Sequence, residues 1–348
     1  MSGGAVGTDR TDRTGWSVTF VGRGRELREV TAFLAANQCV SLIGLPGMGK
    51  SAILQQLAQG GVLGALCPST AMLCAYVDCA ELRESAPAEV FRQFAVALAV
   101  SVEHDALSVE PAVVEAIAQP SRLVFESAIR RLNGRGLQVV LALDTFEALS
   151  TNNKLGIPLF NALRAAAGRF KLAFLTASSR PLIDLTHGAW SPELYSSPFF
   201  NIFASITIGP MPKAEALLMI RLLRLERGDV ESQAGDDALY TLVGGYPHAL
   251  VIASRHAAEQ LDDSDEIARR IERALRPSYE LLWQQLTNAE RGLLRRCVDG
   301  AIVARQDSAG RVCLQALALK GLLIATGETS YRLASRSWDH FVTAVGDS

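Results

Sequence analysis

Val40-Ser41-Leu42-Ile43-Gly44-Leu45-Pro46-Gly47-Met48-Gly49-Lys50-Ser51 is the stretch on which the reading of this chain turns. A short β-prone run ends in a glycine-rich turn, and helical spacing resumes from Lys50 to Gln59. Gly44 to Ser51 fits G-x-x-x-x-G-K-[ST], and strand, loop, helix is the order its chemistry requires. Glycines let main-chain N–H groups turn inward around an anion, the helix N-terminus adds partial positive charge, and the lysine ammonium reaches the outer phosphates of a nucleotide. The pattern makes Gly44, Pro46, Gly47, Met48, Gly49, Lys50, Ser51 and Ala52 the expected nucleotide contacts, with the Ser51 hydroxyl on Mg2+. Lysine is scarce, 5 residues against 29 arginines, so one inside a motif stands out.

A metal held beside phosphates needs a carboxylate as well. Val139-Val140-Leu141-Ala142-Leu143-Asp144 supplies it: a strand buried on both faces can deliver its terminal acid to the carboxyl edge of a sheet, the Walker B arrangement. Hydrolysis further needs a group that orients or deprotonates water. Thr145 follows Asp144, and the next acid is Glu147. Two readings stay open for Glu147: a carboxylate turned toward the γ-phosphate, or a solvated first-turn residue of the next helix.

Around this centre, helical spacing occurs at Arg25 to Asn37, Ala88 to Ser101, Ser121 to Leu132 and Leu155 to Ala167. β-prone runs fall at Met72 to Val77, Leu137 to Leu143, Leu172 to Thr176 and Ile202 to Ile208. Strands alternating with helices imply a parallel sheet sandwiched by helices, an α/β fold over residues 16–210. After the turn cluster Gly209-Pro210-Met211-Pro212 the chain reads as helices: Lys213 to Glu226, Asp236 to Val243, His248 to Leu261, Ser264 to Leu275 and Tyr279 to Leu286. A helical lid domain is expected over 211–277. Helices at Asn288 to Val298, with Thr287 as N-cap, and at Arg311 to Lys320 precede β runs Leu322 to Ala325 and Ser330 to Leu333, separated by Gly327-Glu328. That rhythm predicts a winged helix over 278–348.

Composition narrows the classes. The 348 residues are 49% apolar, enough for two or three domains with their own cores, which excludes a disordered or disulfide-scaffold chain. A net charge of −2 does not advertise nucleic acid as the main partner. Six cysteines form no C-x-x-C pair and read as reduced thiols. Residues 1–15 lack an apolar signal core and read as a disordered tail. No run approaches 18 uninterrupted apolar residues, so no membrane span and a cytoplasmic location are expected.

Phe20-Val21-Gly22-Arg23-Gly24-Arg25-Glu26-Leu27, ahead of the loop, resembles the "VGR" segment of the AAA+/STAND class of P-loop ATPases, the signal-transduction ATPases with numerous domains. Within that class the chain resembles ATPases related to NACHT and NB-ARC switches and, more distantly, origin-recognition ATPases. The resemblance implies that Val21 and Arg23 lie against adenine. Thr176-Ala177-Ser178-Ser179-Arg180-Pro181 resembles the sensor 1 "T-x-R" segment, which would set Arg180 on the γ-phosphate. Gly244-Gly245-Tyr246-Pro247-His248-Ala249-Leu250 resembles the "GxP" motif, whose proline, here Pro247, packs on adenine. NB-ARC switches carry a Met-His-Asp latch in the winged helix; Leu333-Ala334-Ser335 stands there instead, and His340 comes a turn later. ATP or ADP with Mg2+ is the implied ligand, in a switch with weak hydrolysis whose catalytic set is Lys50, Asp144, Glu147 and Arg180.

Two functional readings follow. In the first, nucleotide state controls self-association or binding of a protein partner in trans, because no sensor repeat is visible in the chain. In the alternative, an origin-recognition-like ATPase binds DNA through its winged helix. The helix expected to enter the groove offers only Arg311, Gln315 and Lys320 as polar contacts, which argues against DNA.

Overall fold

The computed structural model describes residues 20–105, 107–186, 198–227, 233–257, 264–298, 302–303, 308–327 and 330–346. The expected tail, the end of the helix expected to reach Leu261, and Glu328 lie outside the described residues. Contacts divide the chain into two compact units. One comprises Gly24–Gly44 and Lys50–Thr207; the other gathers residues 20–23, the loop Leu45–Gly49 and the chain from Ile208 onward.

The first unit runs α1 (Gly24–Ala35), β1 (Cys39–Ile43), α2 (Lys50–Leu57), α3 (Val62–Leu66), β2 (Met72–Asp78), α4 (Pro87–His104), α5 (Pro111–Ala118), α6 (Arg122–Gly134), β3 (Gln138–Asp144), α7 (Glu147–Ser150), α8 (Ile157–Arg169), β4 (Leu172–Ser178), α9 (Leu182–Thr186) and β5 (Phe203–Thr207). Its five strands form one parallel sheet in the order β2-β3-β4-β1-β5, the expected α/β P-loop architecture. Every residue of β3 and β4 is buried, which is why these strands read as unbroken apolar runs and not as alternations. Helices α1, α2, α4, α6 and α8 pack on the sheet. Under it, Phe199 lies 5.2 to 6.2 Å, ring centre to ring centre, from Phe146, Phe160, Phe174 and Phe203, well within the range of favourable aromatic contact.

The second unit carries α10 (Lys213–Leu225), α11 (Gln233–Val243), α12 (Pro247–Ala257), α13 (Ser264–Gln284), α14 (Asn288–Val298), β6 (Ile302–Val303), α15 (Ser308–Leu319), β7 (Leu323–Ala325), β8 (Ser330–Leu333) and α16 (Arg336–Gly346). β6, β8 and β7 form an antiparallel sheet in that order. Helices expected at Ser264 to Leu275 and Tyr279 to Leu286 are one helix, α13, which runs through Pro277. Pro277 is exposed, so the carbonyl it leaves without a helical donor has water at hand, and the interruption costs less than it would in a core. Thr287 caps α14 reciprocally: its hydroxyl accepts from Glu290 N–H at 3.2 Å while the Glu290 carboxylate accepts from Thr287 N–H at 2.9 Å. Helix α16 was not anticipated; Ser335 Oγ accepts from Trp338 N–H, and Trp338 stacks on Phe341 with 5.3 Å between ring centres. No helix among the described residues is long and apolar enough to cross a membrane.

Candidate nucleotide site

Parallel register assembles the chemistry of the first unit at one edge of the sheet. Ile43, the last residue of β1, pairs with Ser178 at the end of β4, and Asp144 at the end of β3 pairs with Asp78 at the end of β2. The carboxyl ends of β1, β3 and β4 therefore deliver Gly44, Asp144 and the Ser178-Ser179-Arg180 segment to the edge where open α/β sheets bind ligands. Gly44 N–H donates to Ser178 O at 3.1 Å. Lys50 begins α2, and its ammonium donates to Gly44 O at 2.6 Å. Burial pulls the Lys50 ammonium below the usual lysine range, while the carboxylates of Glu147 and Asp144 push it back up.

Asp144 is buried, 6% exposed, and each of its oxygens is engaged. Oδ1 accepts from Thr145 N–H and Oδ2 from the Tyr76 hydroxyl, both at 2.9 Å. Thr145 adopts φ 49°, a left-handed conformation that a β-branched residue rarely takes. The chain consequently reverses after β3, Phe146 drops into the aromatic core, and Glu147 starts α7. Glu147 Oε1 accepts from Ser179 N–H. Glu147 is a half-buried first-turn residue of α7, and its charge acts on Lys50. Arg180 is exposed just past β4, where Ser178 Oγ donates to its carbonyl at 2.7 Å.

The second unit holds the crown of the loop. Tyr246 Oη donates to Pro46 O at 2.9 Å, His248 N–H to Gly47 O at 3.2 Å, and the Arg23 guanidinium to Met48 O at 2.9 Å. Three successive carbonyls are thus held from outside. Because a trans peptide points its C=O and the following N–H in opposite directions within one plane, these bonds turn the N–H of Gly47, Met48 and Gly49 the other way. Met48 N–H makes a 3.3 Å bond to Leu45 O within the loop. The bond from His248 uses one of the donors that every helix N-terminus leaves unpaired, here in the first turn of α12, where Pro247 is the first residue and is buried. Gly47 has φ 78°, and a Cβ there would lie 2.5 Å from Tyr246 Oη. Gly49, at φ 87°, has open space where a Cβ would stand.

Arg23 is 3% exposed, and its guanidinium also donates to Gly209 O at 2.7 Å, while its N–H donates to Glu215 Oε2 at 3.0 Å. Its side chain is thus turned to main-chain carbonyls, a role the motif alone did not suggest. Val21 is half-buried beside it in sequence. His248 Nε2 lies 3.0 Å from Ser278 Oγ. The stretch standing in place of the latch also packs within this unit: a Cβ on Gly244 would meet Ala334 O at 3.2 Å and Ser335 Cβ at 3.3 Å.

Sequence reasoning missed Tyr76, Tyr246 and Glu215. Tyr76 had a signal, since a phenol inside an apolar strand beside an acid-tipped strand needs a hydrogen-bond partner. Tyr246 sat inside a motif read only for its proline.

The donor set fits the implied ligands. A hydroxyl and a carboxylate, Ser51 and Asp144, are the hard oxygen donors Mg2+ takes.

The sequence profile of a family described as Novel STAND NTPase 2 (nSTAND2) matches residues 89–295. That span holds Asp144, Glu147, Arg180 and Pro247; the phosphate loop precedes it. No curated protein matches in sequence. Among solved structures, the chain is similar to the Walker-type ATPase PABY2304 of Pyrococcus abyssi, with a TM-score of 0.64 at 15% identity, over 96% of this chain and 98% of that one. It is also similar to the Aeropyrum pernix ORC2 protein in its ADPNP-ADP complexes, with a TM-score of 0.54 at 15% identity, over 94% and 96% of the two chains. At such identity the likeness speaks for the fold alone.

Proposed function

Because the chain belongs to the Novel STAND NTPase 2 family of P-loop ATPases, we propose that it binds Mg-ATP on Gly44–Ser51, hydrolyses it slowly, and uses the nucleotide state as a switch for binding a protein partner or a second copy of itself. The observation that carries this reading is the meeting of Lys50, Asp144 and Glu147 at the carboxyl edge of a parallel sheet. In this reading the main-chain N–H groups of the crown and the Lys50 ammonium hold the phosphates, and Arg180 adds a charge-assisted contact to the γ-phosphate. Ser51 and Asp144 hold Mg2+, which when bound neutralises phosphate charge. Glu147, fixed by Ser179 N–H, orients or deprotonates the attacking water. Val21, the Arg23 main chain and Pro247 line the adenine.

The ATP or ADP state is favoured by the ADPNP and ADP complexes of the similar Aeropyrum protein. A ligand moves a conformational equilibrium only by its differential affinity for the two states, and a γ-phosphate that Arg180 touches in one state supplies such a difference. We read 278–348 as a winged helix that meets protein rather than DNA. The exposed side of α15 carries Val312 and Leu319, 65% and 62% exposed, seven residues apart with Gln315 between them, a face poor in phosphate or base contacts.

The test is purification of the chain, identification of any co-purified nucleotide, and sizing with ATP, with ADP and in a Lys50→Ala variant. A nucleotide-dependent size supports the switch. Identical size in all states with no nucleotide bound overturns it, and salt-dependent affinity for duplex DNA favours the alternative.

A further inference from the structure

Tyr76 lies on β2, a strand that no nucleotide motif touches, yet its hydroxyl reaches the one buried carboxylate at the end of β3. Parallel register pairs Tyr76 with Ala142 and Asp78 with Asp144, so the phenol starts two residues back and extends along the sheet to Asp144 Oδ2 at 2.9 Å. On the other side, Gln55 Nε2 donates to Tyr76 Oη at 3.4 Å. Gln55 sits four residues after Ser51 on α2, and residues four apart share one helical face. Ser51 and Gln55 thus share a face of α2, and one of them already reaches the Tyr76–Asp144 pair.

We propose that Tyr76 is a positioning residue for magnesium: its hydroxyl, with Thr145 N–H on the other oxygen, fixes the Asp144 carboxylate in the orientation that accepts from the metal's water shell. A carboxylate oxygen has two acceptor directions, so one bond to each oxygen orients the group and leaves a direction free on both. Outer-shell partners of metal-binding groups act in this way, and their loss lowers metal affinity about 10–100-fold. Gln55 extends the chain of bonds back to α2, the helix that carries Ser51. This inference rests on the Mg-ATP reading above.

The test uses the full chain and a fluorescent ATP analogue, titrated without metal and then with Mg2+ at fixed nucleotide, for wild type, Tyr76→Phe and Asp144→Asn. Tyr76→Phe keeps the ring and removes only the hydroxyl; circular dichroism and metal-free affinity report whether the fold is kept. The expected result is unchanged metal-free affinity with about 10-fold or more additional Mg2+ needed for half-effect, in the same direction as Asp144→Asn. A Tyr76→Phe variant with wild-type Mg2+ dependence, beside an impaired Asp144→Asn, overturns the role of Tyr76 alone. Equal loss of metal-free and Mg2+-dependent binding also overturns it, because the phenol would then serve only packing. A wild type that binds no nucleotide, or whose binding ignores both Mg2+ and Asp144→Asn, overturns the Mg-ATP reading and this inference together.

Discussion

Lys50 meets two opposed influences, burial that favours the neutral amine and two carboxylates that favour the ammonium, and burial is the larger. The group is charged below its lowered pKa and neutral above it, so affinity for ATP falls as pH rises, beginning below the ordinary lysine value of 10.5. Loss of a charge-assisted bond is worth roughly 1.5–3 kcal/mol, about a 10–100-fold drop across that limb. Lys50→Arg, which stays charged, binds more weakly at pH 7.5 because its planar fork does not fit a point-charge site, but shows no alkaline limb; titration across pH checks both. Glu147→Gln keeps an acceptor for Ser179 N–H and discards the base, so nucleotide affinity stays within about twofold while phosphate release slows about 10²–10⁴-fold. Tyr246→Phe frees the Pro46 carbonyl from its outside partner. A hydrogen bond of this kind contributes about 1 kcal/mol, and affinity for ATP drops about fivefold if the crown is pre-set by it.

Elements decide whether those residues meet. The reversal after β3 depends on a left-handed Thr145 and on Phe146, which is fully buried against Phe199. Phe146→Ala leaves a cavity under the turn, and a loss of about 3–5 kcal/mol in stability is expected by chemical denaturation. In α13, Pro277 forbids one helical hydrogen bond at an exposed position, so Pro277→Ala raises the stability of that helix, by up to about 3 kcal/mol. These elements also mark how far the sequence was legible. Buried central strands and the glycine loop announce themselves because burial on two faces and a left-handed turn each demand particular residues. The eight-residue α5, the two-residue β6 and the run of α13 through Pro277 did not, because length and a lone proline carry little periodic signal. Phosphate-loop and acid positions were readable from spacing. The partners that hold them were not, since Tyr76, Tyr246 and the Arg23 guanidinium act across 25 to 200 residues of chain.

For the molecule as a whole, the family and the fold are those of a STAND-class P-loop ATPase, and the switch is the proposal that gives its parts a common purpose. In the proposed switch, one loop of main-chain amides and one ammonium group grip a triphosphate. Calorimetric titration of the full chain with Mg-ATP, in wild type and in Lys50→Ala, measures that grip. Saturable heat with one nucleotide per chain is expected in wild type and none in the variant, with the same circular dichroism for both. No heat from any nucleoside triphosphate in wild type, or equal heat from Lys50→Ala, would contradict it.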